Sequence, residues 1–169
     1  MKKNKIKVLV LLDLKSNTDE IVNYTVKLSK LIDANFEFFS VKKPTEVVNT
    51  DSQLSAMRAI NRDCAETNNE IKNIVKLLND SLETNVKVSF AIGNIKSEIE
   101  NRINGVKPDI VVLGKRKSKT LNLMGDKITN VLSQKNDIKV LIASKKTTAE
   151  LLNDLSSSFL SQKHRELAI

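Results

Sequence analysis

The chain has no tryptophan, a single cysteine and a single histidine, and aromatic residues make up only 4% of it. Each shortage excludes something. With Cys64 alone no internal disulfide can form, and His164, in a polar C-terminal stretch without a neighbouring cysteine, has no partners with which to hold zinc. Cys64 reads as a small hydrophobe on a helix face and His164 as a solvated side chain. Scarce aromatics remove the stacking platforms that single-stranded nucleic acid needs, and there is no recognisable reading helix. The net charge of +8 is then accounted for by lysines spread over solvated helix faces, so nucleic acid ranks last among partners. The basic start MKKNKIKVLVLL ends its short apolar stretch at Asp13 and lacks a small-residue cleavage site. Neither a signal peptide nor a membrane span is expected, and the expected location is the cytoplasm.

Several catalytic and phosphate-binding patterns are missing too. No G-x-G-x-x-G follows the first apolar run, and G-x-x-x-x-G-K-[ST] does not occur. A phospho-acceptor switch would group acidic residues at strand ends to hold Mg²⁺, and only Asp13 stands at such a place. No nucleophile has a base partner, since the hydroxyls of Ser16 and Thr18 serve as candidate helix caps. The expectation is a protein that is not an enzyme and holds no metal.

What is present is an orderly alternation. Residues 6–12, IKVLVLL, form a near-continuous run of branched apolar side chains, the mark of a strand covered on both faces. A helical pattern follows with Ile21, Leu28, Leu31 and Ile32, then a second strand, NFEFFSV, at 35–41. After a polar connector, Met57, Ile60, Cys64, Ile71, Ile74, Val75 and Leu78 keep to one stripe of a long helix. VKVSFAIG alternates, with Val86, Val88, Phe90 and Ile92 on one side and Lys87 and Ser89 on the other, as an edge strand with one wet face would. Asn94 is placed to cap a helix bearing Ile95, Ile99 and Ile103, Gly105 to end it in the left-handed conformation, and Pro108 to prevent its continuation. DIVVLG is a fourth strand; Asp126 precedes a helix with Ile128, Val131 and Leu132; and IKVLIA, 138–143, is the fifth strand.

Such an order predicts an α/β fold: a single doubly wound, five-stranded parallel sheet with strand order 3-2-1-4-5 and helices on both faces, plus a short C-terminal helix. The 169 residues divide into one α/β domain, 1–145, and an appendage, 146–169. Winding reverses between strands 1 and 4, which opens a crevice at their carboxyl ends, where ligands of such sheets bind. The segments leaving those ends begin at Asp13 and at Gly114. The loop GKRKSKTLNLMGDK, 114–127, places Gly114, Gly125 and the cationic Lys115, Arg116 and Lys117 where a phosphate would be cradled. Asp126, however, is well suited to cap the next helix and would repel an anion there.

In VLVLLD at the first strand, G-N-I with DIVVLG after it, and the glycine loop leading to IKVLIA, the chain resembles the universal stress protein family over residues 5–144. That resemblance implies the doubly wound fold, dimerisation through the fifth strand, and a branch that binds ATP beside one that does not. The ATP-binding branch carries G-x2-G-x9-G-[ST], and an Asp at the end of strand 1 faces the nucleoside. Asp13 and Gly114 match. Lys117 stands at the second glycine's place, the segment from there to Gly125 is two residues shorter, and Asp126 replaces the hydroxyl residue. The resemblance therefore implies a non-catalytic, universal-stress-type protein with a degraded ATP-binding loop, acting through homodimerisation and contacts with an unnamed protein partner. The competing expectation is a stress sensor that binds ATP or another adenine nucleotide, held by base and ribose near Asp13 and Val41.

The C-terminal stretch opens with Thr147-x-x-Glu150, a capping-box spacing, and continues with Leu151, Leu152, Leu155 and Phe159 on one face. So short an amphipathic helix must pack on its own sheet, on a second subunit or on a membrane surface, the last disfavoured because serines, Glu150 and Asp154 dilute a lipid-binding face. The expected dimer surface comprises Ile138, Val140 and Ile142 on strand 5 with Leu151, Leu155 and Phe159.

Overall fold

A strand whose side chains are apolar on both faces is stable only with neighbours on either side and cover above and below. The computed structural model gives β1 (Ile6–Leu12) that environment; it describes residues 5–12, 18–44, 52–80, 86–114, 132, 134–135, 137–143 and 147–156. β1 pairs in parallel with β2 (Ala34–Lys42), from Ile6↔Ala34 to Leu12↔Ser40. On its other side it pairs in parallel with β4 (Ile110–Gly114), from Val8↔Ile110 to Leu11↔Leu113. β3 (Val86–Ile92) joins β2, and β5 (Lys139–Ala143) joins β4. The sheet has five parallel strands in the order β3-β2-β1-β4-β5, as the alternation of runs predicts.

Period-two alternation sorts the strand side chains between two cores. Val8, Val10 and Leu12, with Phe36, Phe38, Ile110, Val112, Leu141 and Ala143, face α1 (Thr18–Ser29) through Ile21, Val22, Tyr24 and Leu28. The same face is covered by Ile74 and Leu78 of α2 (Gln53–Asn79) and by Leu151 and Leu155 from the C-terminal helix, helical over 148–156. On the opposite face Leu9, Leu11, Phe39 and Val111 meet Ile95, Ile99 and Ile103 of α3 (Ile95–Val106), together with Leu132.

Two caps follow the residue pattern. Asn94 Oδ1 accepts from Ser97 N–H at 3.2 Å at the start of α3. At the C-terminal helix the capping box closes reciprocally, with Thr147 N–H donating to Glu150 Oε2 at 2.7 Å and Glu150 N–H to Thr147 Oγ1 at 3.4 Å. The end of α3 differs from expectation. Gly105 stays helical, and Lys107 takes the left-handed conformation at φ 50°, ψ 65°, its N–H donating to Ile103 O at 2.8 Å. Pro108 bars Lys107 from the right-handed helical region and so ends the helix, and the left-handed turn lets the Lys107 N–H cap the last turn. The chain turns beside the proline, not at the glycine.

The second face of β3 is also drier than its alternation predicts. Ser89 and Ala91 are half-buried, and Ala91 packs against the α3-side core. Ser89 Oγ donates to Glu37 Oε1 at 3.0 Å, and Arg102 of α3 donates through Nη2 to both Glu37 Oε1 and Ser89 Oγ. The guanidinium also lies 5.5 Å from the centroid of the Phe39 ring. Glu37, a carboxylate between phenylalanines in a strand buried on both faces, is therefore matched by one cation reaching down from the helix above it.

The C-terminal helix docks on polar as well as apolar contacts. Lys139 of β5 donates through Nζ to the Asp154 carbonyl, and burial lowers its pKa against the opposing pull of Asp154. Tyr24, 2% exposed, has a hydroxyl without a hydrogen-bond partner. Burial, reinforced by the charge of Asp154, raises its pKa from 10.0 to about 12. The folded state thus retains a phenolic proton that the unfolded chain releases near pH 10. This contribution to stability is fully present below pH 10 and falls away as pH rises towards 12. Tyr24→Phe removes it. The difference in denaturation midpoint between variant and wild type should be constant below pH 10 and move in favour of the variant above it; a difference that stays flat to pH 12 contradicts the burial of the phenol.

Candidate functional site

α1 leaves β1 over one face of the sheet, whereas α3 approaches β4 from the other. Winding therefore reverses between β1 and β4, the place at whose carboxyl ends sheets of this kind bind ligands. Leu11 pairs with Leu113, so the next residues, Leu12 and Gly114, end the two strands side by side. Among the predicted site residues, Val41 and Gly114 are described; Asp13, Lys115, Arg116, Lys117, Gly125 and Asp126 lie outside the described residues. Val41, next to last in β2, is half-buried and packs against the α3-side core.

Gly114 has a packing reason to be glycine. A Cβ built there would lie 2.8 Å from Ile21 Cδ1 and 3.3 Å from Ile21 Cγ1. Ile21 is 1% exposed, so its side chain has little room to retreat. The glycine lets α1 sit close against the end of β4, and that alone accounts for the residue type.

A polar group that the residue pattern did not single out stands nearby. α2 has 27 residues, about 40 Å of helix, against strands of seven and nine residues spanning roughly 23–30 Å. Its C-terminal half is anchored through Ile71, Ile74 and Leu78, while Leu54, Met57 and Ile60 in its first turns are 70%, 57% and 36% exposed. α2 follows the carboxyl end of β2 in the chain. Where helix and edge meet, Lys42 Nζ, from the last residue of β2, pairs with Asp63 Oδ1 at 3.0 Å. Asp63 Oδ2 and Thr67 Oγ1 are buried without hydrogen-bond partners. The signal for these residues was available: Asp63 and Thr67 interrupt the apolar stripe that runs through Ile60, Ile71 and Ile74.

The residues expected at a dimer surface have separate placements. Ile138 and Val140 pack against the α3-side core, and Ile142 is 55% exposed on the edge strand. Leu151 and Leu155, 0% and 5% exposed, are built into the chain's own core, because the C-terminal helix lies on its parent sheet; they present no face to a second subunit. Phe159 lies outside the described residues. Among the described residues no group of three or more His, Cys, Asp or Glu side chains is placed to hold a metal, and no helix is long and apolar enough to cross a membrane.

Comparison with solved structures places this architecture. The universal stress protein UspA from Lactobacillus plantarum superposes with a TM-score of 0.63 over 85% of this chain and 100% of its own, at 15% identity. The chain has the universal stress protein, UspA-like, fold. A hypothetical protein whose biochemical function was assigned from its structure, as a test case of structural genomics, is similar to this UspA-like chain at 25% identity. Its TM-score is 0.63, over 84% of this chain and 97% of that one. A universal stress protein in complex with cAMP is similar at 14% identity and a TM-score of 0.57, over 84% of this chain and 100% of that one. No family model and no curated protein matches the sequence.

The close approach at Gly114 gives a direct test. Gly114→Ala should lower stability by about 1–3 kcal/mol through overpacking. Ile21→Val deletes the Cδ1 atom that the new methyl would meet, so the double variant should recover part of the loss in a double-mutant cycle. Additive losses would show that Ile21 is not what makes glycine necessary.

Proposed function

We propose that this UspA-like chain is a non-catalytic stress protein of the cytoplasm whose carboxyl-edge crevice holds an adenine nucleotide chiefly by its base and ribose. The observation that carries the reading is the adjacency of Leu12 and Gly114 where the winding reverses. A neighbour of the same fold in complex with cAMP supports it, since that ligand carries one phosphate and makes no demand for a triphosphate cradle. The loop after Gly114 is poorly suited to a triphosphate. By sequence, Lys117 stands where the ATP-binding branch carries a glycine, and Asp126 brings a negative charge where that branch carries a hydroxyl residue. These same departures favour a second reading, in which the crevice takes no nucleotide and the chain acts through protein contacts alone.

Under either reading the output is association. Among the described residues no strand pairs with the outer edge of β5, where Ile142 is exposed, and a symmetric partner docks along that edge. Both proposals can be tested on one preparation. Light scattering should return the mass of a homodimer, and a monomer removes that part of the proposal. AMP and cAMP should each raise the melting temperature saturably, by about 2.7 kcal/mol of stabilisation at a hundredfold excess over Kd, with ATP giving no larger effect at equal occupancy. No shift with any of the three overturns the nucleotide reading in favour of the second.

A further inference from the structure

Buried polar atoms are nearly always hydrogen-bonded, and one that is not weakens whatever contact buries it. The Tyr24 hydroxyl is such an atom. Tyr24, in α1, shares a core with Leu151 and Leu155 of the C-terminal helix and with Leu141 and Ala143 of β5. Asp154 of the same helix is near enough for its charge to act on the phenol. The adjacent Thr25 hydroxyl is buried as well, but it donates to the Ile21 carbonyl at 2.8 Å. Closing the helix over Tyr24 therefore strips water from a hydroxyl and gives it no partner in return.

The apolar hold on that helix is small. Over the described span 148–156 it is too short to be stable by itself, and of its side chains Leu151 and Leu155 are buried while Leu152 is 48% exposed. The Thr147 and Glu150 capping box fixes where the helix starts, and Lys139 of β5 holds it through the Asp154 carbonyl. β5 does not depend on the helix in turn. Its ladder to β4 runs from Ile110↔Lys139 to Gly114↔Ala143, and Val140 packs into the core on the opposite face. The helix can leave while the sheet remains whole.

We propose that the C-terminal helix is a clasp that opens from the folded sheet as a unit, and that the unpartnered hydroxyl of Tyr24 sets how readily it opens. Closed, the clasp buries Leu151 and Leu155 at the cost of the dry phenol. Open, the phenol is hydrated, and Tyr24, Leu141 and Ala143 become an apolar strip on the α1 side of the edge strand. The chain thus has two folded states that differ in the surface shown beside β5.

Hydrogen exchange on the full chain under native conditions tests both parts, by comparing amides of residues 151–155 with those of residues 8–11 in β1. In wild type the helix amides should exchange at least about tenfold faster than those of β1, through an opening that depends less on denaturant than global unfolding does. Tyr24→Phe keeps the ring and removes the hydroxyl, so the closed state loses its penalty and the helix amides should slow by about tenfold. The β1 amides should slow by the same factor, because the phenol is hydrated in the open clasp and in the unfolded chain alike. Helix amides that exchange only together with β1 in wild type show that no clasp opens and overturn the inference. Slowing at β1 without slowing at the helix shows that the phenol stays buried when the helix leaves, and no slowing at either site shows that the hydroxyl carries no penalty; each overturns the role given to Tyr24.

Discussion

The structure depends on the burial of β1 on four sides. Its amides and carbonyls are engaged by β2 and β4, and its side chains by one helical layer above and another below. Parallel pairing on both sides forces each connection to cross a face of the sheet. Covering both faces then requires that the chain change its direction of winding at β1. The crevice between Leu12 and Gly114 is thus a consequence of burying an IKVLVLL strand rather than a separate invention. The same constraint explains why the C-terminal helix cannot be an idle appendage. α1 and α2 leave part of the face above β4 and β5 to be covered, and Leu151 and Leu155 meet Leu141 and Ala143 in the same core.

Polar groups inside this frame fall into two kinds. Glu37, Ser89 and Arg102 Nη2 are hydrogen-bonded to one another across the β2, β3 and α3 boundary, and their network ties the helix to the sheet's edge half. Removing one partner from a buried pair costs about 3–5 kcal/mol because the other charge is left uncompensated, so the cluster specifies how α3 sits. Asp63 Oδ2, Thr67 Oγ1, the Tyr24 hydroxyl and, within the cluster itself, Arg102 Nε lack partners. Tyr24 lies beneath the C-terminal helix, far into the apolar layer, and its aromatic body gives it a packing role that a phenylalanine would fill.

Most of the fold was legible because its signals are local. Runs of branched residues marked the strands, Asn94 and the Thr147 and Glu150 pair marked helix starts, and the order of elements left little choice of topology. Where the reading failed, a longer-range or competing constraint prevailed. Gly105 was the natural helix terminator by propensity, but Pro108 dictated Lys107. The polar side of β3 looked wet because Arg102, which covers it, is 13 residues from Ser89 on a different element. Leu151 and Leu155 could be recognised as an apolar stripe, yet nothing in the stripe says which surface it meets. At the candidate site, the steric demand of Ile21 on Gly114 could not be read from the loop pattern that singled the glycine out, and the Lys42 and Asp63 pair spans 21 residues that no motif connects.

Native-state hydrogen exchange measures the central claim most directly, because it reports the free energy at which each amide opens. If the doubly paired, doubly covered β1 organises the molecule, the amides of residues 8–11 exchange only through global unfolding, at the free energy obtained from denaturant titration, while those of the edge strands β3 and β5 open at lower cost. Exchange of the β1 amides through local opening, at a free energy below that of either edge strand, would contradict the account.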